Sequence, residues 1–158
     1  MAFERTLIIL KPDAVARGLM GRILSRFEDK GLRIAGMKLS TISKKTAQAH
    51  YAEHKGKPFY PGLLEFITSG PVVLLVVEGI GAIAICRKLI GATFGSKAEP
   101  GSIRGDFGVS NSFNLIHGSD SVKSARREIK LYFTASELVK YDTADLRWIY
   151  DFSGDKPE

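Results

Sequence analysis

One cysteine, Cys86, occurs in 158 residues, which excludes an intramolecular disulfide framework and any zinc site built on several cysteines. Long apolar runs are missing as well. The longest, Pro71 to Val77, falls far short of the roughly 20 residues needed to cross a bilayer, so no membrane partner is expected. The opening Met1-Ala2-Phe3-Glu4-Arg5 lacks the basic-then-apolar order of a secretory signal, and a cytoplasmic protein is expected. Repeats and low-complexity linkers are also lacking. The length suits one domain over 1–158, with Asp151 to Glu158 as a polar C-terminal extension. Of the charged residues, 23 are basic and 17 acidic, a net charge of +6 that favours polyanionic ligands such as nucleotides or nucleic acid.

Several phosphate and metal motifs fail on inspection. Gly91 to Ala98 has the wrong glycine spacing for a Walker loop and no Ser or Thr after Lys97. Asp106-Phe107-Gly108 spells a kinase tripeptide without the glycine-rich loop that should precede it. His50 and His54 are four apart on one predicted helix, but Glu53 is misplaced for a zincin and no third ligand is evident. They read as surface or half-buried residues. Arg104 to Val109 partly fits an RNA-binding strand motif, yet Asp106 stands where an aromatic should stack a base. Nucleic acid is left as a secondary activity only.

The element pattern is strand, helix, strand, helix, strand, helix, loop, strand, helix. Thr6 to Leu10 is an apolar strand stopped by Pro12, and Leu19 to Lys30 carries a helical apolar face closed by Gly31. Leu32 to Leu39 reads as a strand, Ser43 caps a helix running through His54, and Pro61 opens another. Val72 to Val77 is apolar on both faces and reads as central. Ala82 to Ile90 is helical, Ala92 to Phe113 has no assignable element, and Leu115-Ile116 ends a short strand leading into His117. Ser119 to Ser121 offers caps for a last helix with Val122, Ala125, Ile129 and Tyr132 inward. This order fits an α/β (α+β) sandwich of the ferredoxin-like, split βαβ kind, with helices covering one face of an antiparallel sheet.

The segment Asn114-Leu-Ile-His-Gly-Ser-Asp120 resembles the active-site signature of nucleoside diphosphate kinases. Glu4 to Asp13, Arg17-Gly18-Leu19, His50-Tyr51, Lys57-Pro-Phe59, Ser69-Gly-Pro71, Gly101 to Phe107 and Trp148-Ile-Tyr150 are similar to that family's motifs, in the same order. The resemblance implies a ping-pong phosphotransferase that passes the γ-phosphoryl of a nucleoside triphosphate through a histidine to a nucleoside diphosphate. His117 matches the nucleophile, Glu128 the carboxylate that orients its ring, and Ser119 a hydroxyl in the same network. An imidazole with an ordinary pKa near ~6.5 is largely free base at neutral pH, so such a nucleophile needs orientation more than deprotonation. Lys11, Arg87 and Arg104 match phosphate-binding cations, Thr93 a hydroxyl donor to phosphate and Tyr51 a phenol beside the transferring group. Asn114 matches a ribose contact and Phe59 the aromatic on which the base stacks. Stacking tolerates any base, so broad specificity is implied.

The resemblance further implies Mg²⁺ held mainly through the nucleotide phosphates, and a homo-oligomer that is a hexamer, tetramer or dimer. The chain departs from the family pattern at Phe94-Gly95, where many members carry Asn-Pro. It departs again at Asn111, where many carry a valine that touches the base.

Overall fold

A computed structural model describes residues 3–143 and 146–154. The chain runs through β1 (Phe3–Leu10), α1 (Pro12–Ala16), α2 (Met20–Glu28), β2 (Arg33–Ser40), α3 (Lys44–His50), α4 (Tyr60–Ile67), β3 (Val72–Ile80) and α5 (Ala82–Ile90). It continues through α6 (Ile103–Phe107), β4 (Ile116–Gly118), α7 (Val122–Tyr132) and α8 (Leu146–Ile149). The strands form one antiparallel sheet in the order β2-β3-β1-β4, the ferredoxin-like arrangement.

Helices lie on both faces of this sheet rather than on one. Alternate residues of the two central strands feed two cores. Ile8, Leu10, Val73, Leu75 and Val77 pack with Ile23 and Phe27 of α2 and Cys86 and Ile90 of α5. Leu7, Ile9, Leu74 and Val76 pack with Ala47 of α3, Leu64 and Ile67 of α4 and Tyr132 of α7. The cause is visible in β3, whose every residue is buried. A strand apolar on both sides demands cover on both sides.

Local signals place most boundaries. Ser43 caps α3 by accepting from Thr46 N–H at 3.1 Å, and Ser121 caps α7 by accepting from Ser124 N–H at 3.1 Å. Gly91 ends α5 with φ +85°, a conformation that disfavours any side chain. Three expectations need correction. The helix from Ser43 stops at His50, and Ala52–His54 is a separate 3₁₀ turn. His117 is the middle residue of β4 and not its successor. Val122 is exposed, and the carboxylate of Glu128 is buried on α7 in addition to Ala125 and Tyr132. The stretch 92–113 contains a 3₁₀ turn at Gly95–Lys97 and α6. Gly95 lies so close to Gly108 that a Cβ there would sit 2.5 Å from the Gly108 carbonyl oxygen. Of the extension expected at 151–158, only 151–154 are among the described residues.

Candidate active site

β4 is the short edge strand of the sheet, paired with the end of β1 so that His117 lies opposite Ile9. The backbone just before it is unusual. Leu115 is fully buried with φ +68°, and the Ile116 N–H donates to the Asn114 carbonyl at 2.7 Å. A non-glycine residue in this region costs on the order of 1–3 kcal/mol and persists only where its surroundings enforce it. Here the enforcement is explicit: Leu115 N–H donates to Asp13 Oδ2 at 3.0 Å, and its carbonyl accepts from Lys11 N–H at 2.8 Å. The bend thereby ties the entry of β4 to the end of β1.

His117 is one-fifth exposed and its Nε2 lies 2.9 Å from Glu128 Oε2. Ser119 Oγ donates to the same oxygen at 2.6 Å. Glu128 is buried. Burial alone would raise its pKa, but hydrogen bonds from His117 and Ser119 and the neighbouring imidazole outweigh this and hold it below the ordinary carboxylate value. The ionised carboxylate accepts from Nε2–H, which fixes the tautomer and leaves the Nδ1 lone pair without a protein partner among the described residues. The 11 residues from His117 to Glu128 bridge β4 and α7.

Three cations anchor on the residues flanking His117. Lys11, buried at the end of β1, donates from Nζ to Asn114 Oδ1 at 2.7 Å. Its amine is lowered from 10.5 to about 8, by burial first and Arg104 second, against the opposing charge of Asp13. Arg104, on α6, donates from Nη2 to the Ile116 carbonyl at 2.6 Å and from Nε to the Asn114 carbonyl at 3.1 Å. Its Nη1 reaches the Gly91 and Ala92 carbonyls at 3.2 and 3.3 Å. Burial and the nearby Arg87 lower it to about 10. Arg87, exposed on α5, approaches the Gly118 carbonyl at 3.4 Å. The cations converge although their charges repel, an arrangement that an arriving polyanion relieves.

The remaining sequence-predicted residues are distributed unevenly. Asn114 is buried with its amide engaged at both ends, accepting from Lys11 and donating to the Thr93 carbonyl at 2.9 Å. Thr93 is exposed and joins this group through its backbone. Tyr51 is buried, and its hydroxyl has no partner among the described residues. Burial, reinforced by Glu128, holds that phenol well above its ordinary value, so it acts as a donor. Phe59 is 54% exposed at the outer end of a line of rings running through His54, Tyr51 and His50 to His117, at centroid separations of 5.5, 6.0, 4.5 and 4.6 Å.

Two neighbours of the site escaped the sequence reading. Asp13 holds the Leu115 backbone, a role that no motif reports. His50 does not share a metal-binding face with His54. It is buried, its ring stands edge-on to His117, and its Nδ1 has no partner among the described residues. Burial first and His117 second lower it from 6.5 to about 3, so the ring is neutral.

No set of three carboxylates among the described residues converges to hold a hard cation. The one donor cluster among the described residues, His50, His117 and Glu128, is nitrogen-rich and unlike a magnesium site. The comparisons agree on a single family. Its model, nucleoside diphosphate kinase, matches residues 4–138. A nucleoside diphosphate kinase of Thermococcus kodakarensis is 58% identical over 150 residues, covering 93% of this chain and 86% of that protein. One from Cyanothece is 54% identical over 148 residues, covering 94% and 99%. Among solved structures, a halophilic nucleoside diphosphate kinase from Halobacterium salinarum in complex with CDP superposes with a TM-score of 0.93 at 48% identity, covering 95% of this chain and all of that one.

Proposed function

The chain belongs to the nucleoside diphosphate kinase family, and from that premise we propose that His117 is the residue through which it moves a phosphoryl group from a nucleoside triphosphate to a nucleoside diphosphate. One observation supports this assignment above the rest: the imidazole is clamped at Nε2 by a buried, ionised glutamate, and three cations are bonded to the residues that flank it.

The Nδ1 lone pair attacks the γ-phosphorus. The bond from phosphorus to the bridging oxygen breaks, and the diphosphate leaves with that electron pair. The phosphorylated ring carries Nε2–H and a positive charge, which the Glu128 carboxylate balances while Ser119 holds the carboxylate in place. A second diphosphate attacks the phosphorus in the reverse sense and restores the free ring. Each half-reaction exchanges one phosphoryl bond for another of similar energy, and one pocket serves both partners. Lys11, Arg87 and Arg104 attract the phosphate oxygens, with Tyr51 and Thr93 as hydroxyl donors. Positioning and charge stabilisation of this kind carry most of the catalysis in phosphoryl transfer. Phe59 offers a base-indifferent stacking surface and Asn114 an amide for the ribose.

Magnesium enters bound to the nucleotide phosphates, as part of the substrate. We also take the chain to be one domain, cytoplasmic, acting as a homo-oligomer, and without a membrane partner. No described helix is long and apolar enough to span a bilayer.

The test is labelling. Incubation with [γ-³²P]ATP alone is expected to give an acid-labile phosphoprotein that unlabelled GDP discharges. His117→Gln should take up no label and lose activity by on the order of 10⁴-fold or more. Label retained on His117→Gln would overturn the assignment.

A further inference from the structure

The ring of His50 serves no evident purpose in phosphoryl transfer, yet it occupies the most sensitive position available, edge-on to His117 at 4.6 Å between centroids. One ligating atom from each of His50, His117 and Glu128 lies within 4.8 Å of the other two. His50 is 4% exposed and its Nδ1 is buried without a hydrogen-bond partner among the described residues, a costly state for a polar atom. Two imidazoles and one carboxylate match the donor set of open zinc sites, which keep a fourth position for water.

The geometry points to a second, inhibitory ligand of this centre: a borderline transition-metal ion, Zn²⁺ in the first instance, bound by His50, His117 and Glu128 in competition with the phosphoryl group. Zinc sits at about 2.0–2.2 Å from nitrogen and oxygen donors, so tetrahedral ligands stand about 3.4 Å apart. The His117–Glu128 separation of 2.9 Å needs to open by about half an ångström, and the third ligand needs to close in from within 4.8 Å. Zinc accepts one lone pair from each imidazole and one from the carboxylate. At His117 the binding nitrogen is Nε2, so its proton moves to Nδ1 and takes up the lone pair that attacks phosphorus. A phosphorylated ring instead holds its proton on Nε2 and has no lone pair for the metal, which is the origin of the competition. The hydrogen bond between His117 and Glu128 is exchanged for two metal bonds. Magnesium does not fit, because it prefers an octahedron of oxygens. The metal that accompanies the nucleotide and the metal that blocks the centre therefore differ in kind.

The competition clause rests on His117 being the phosphorylated residue, whereas zinc binding by the unphosphorylated protein does not. Isothermal calorimetry with zinc chloride on untagged full-length protein, free of nucleotide, is expected to show one ion per chain. Cobalt(II) added instead should give visible absorption of the intensity shown by four- or five-coordinate sites. His50→Gln should weaken zinc binding at least tenfold, while His54→Gln should leave it within twofold. Protein first phosphorylated with ATP and freed of nucleotide should lose the zinc signal in proportion to its phosphate content. That last arm uses the natural sequence and stands even where His50→Gln fails to fold. The absence of one-to-one binding, its retention in folded His50→Gln, its loss in folded His54→Gln, or its retention in the phosphoprotein would each overturn the proposal. If ATP leaves no phosphate on the protein, the assignment of His117 fails, and the calorimetry on free protein still decides the zinc site.

Discussion

The two ends of β1 each neutralise a buried glutamate, and they do so by opposite means. At one end Glu78 of β3 lies in register with Arg5 of β1 and Arg33 of β2, and each arginine donates to a different carboxylate oxygen at 2.7 Å. At the other end one oxygen of Glu128 is met by an imidazole and a hydroxyl, and the only guanidinium near the other among the described residues, that of Arg127, stands off at 3.7 Å. Guanidinium groups keep their charge and form planar forks, so the first arrangement is locked. An imidazole can gain a substituent and a charge while keeping its hydrogen bond, so the second can pass through several states. What separates a structural ion cluster from a reactive one here is the nature of the partners, since both carboxylates are almost equally buried.

That contrast can be broken from either side. The largest expected effect is on stability at the locked end. Glu78→Gln leaves two arginines facing each other without an anion and should cost about 3 kcal/mol. Urea denaturation reads this loss, while phosphoryl transfer per folded chain should change little. Next in size, Glu128→Gln should slow the chemical step by about 10²-fold, the scale of a positioned proton partner, because a side-chain amide can donate to the ring and unsettle its tautomer. Rapid-quench measurement of phosphoenzyme formation separates this from nucleotide affinity.

A third effect, spread over a range of pH, distinguishes the cations. Lys11 sits at about 8 in the fold against an ordinary 10.5, so between those values the unfolded chain binds more protons. Stability should therefore rise from pH 8 to 10.5, while kcat/KM falls by up to about tenfold per pH unit as the phosphate-binding charge is lost. Lys11→Met should flatten the stability rise, and Lys11→Arg should move the kinetic limb upward. A kinetic limb unchanged in Lys11→Arg would remove Lys11 from the phosphate site.

Legibility followed the range of the interactions involved. α5 was readable to the residue because apolar spacing and a terminal glycine are local properties. β3 was readable as central because β-branched residues crowd it. The stretch 92–113 was opaque because its shape is set from outside. Arg104 gathers carbonyls from Gly91, Ala92, Asn114 and Ile116, and Gly95 fits against Gly108. In the site, the likeness to known motifs is what brought His117, Ser119 and Glu128 into view. His50 was misjudged, since four-residue spacing to His54 suggested one exposed helical face. The helix ends at His50 itself, and packing of α3 beside α7 turns the ring inward. Asp13 stood inside a matched motif, but its role was illegible because its partner is a backbone amide.

Position 115 is subject to two demands that no standard amino acid meets together. The core there needs a filled volume, which favours a branched hydrocarbon, and the torsion there favours a residue with no side chain at all. Glycine would relax the bend and hollow the interior beneath the nucleophile, and a β-branched replacement would fill the interior and resist the bend. A saturation library selected for turnover should therefore return leucine or methionine, with little room for improvement in either direction.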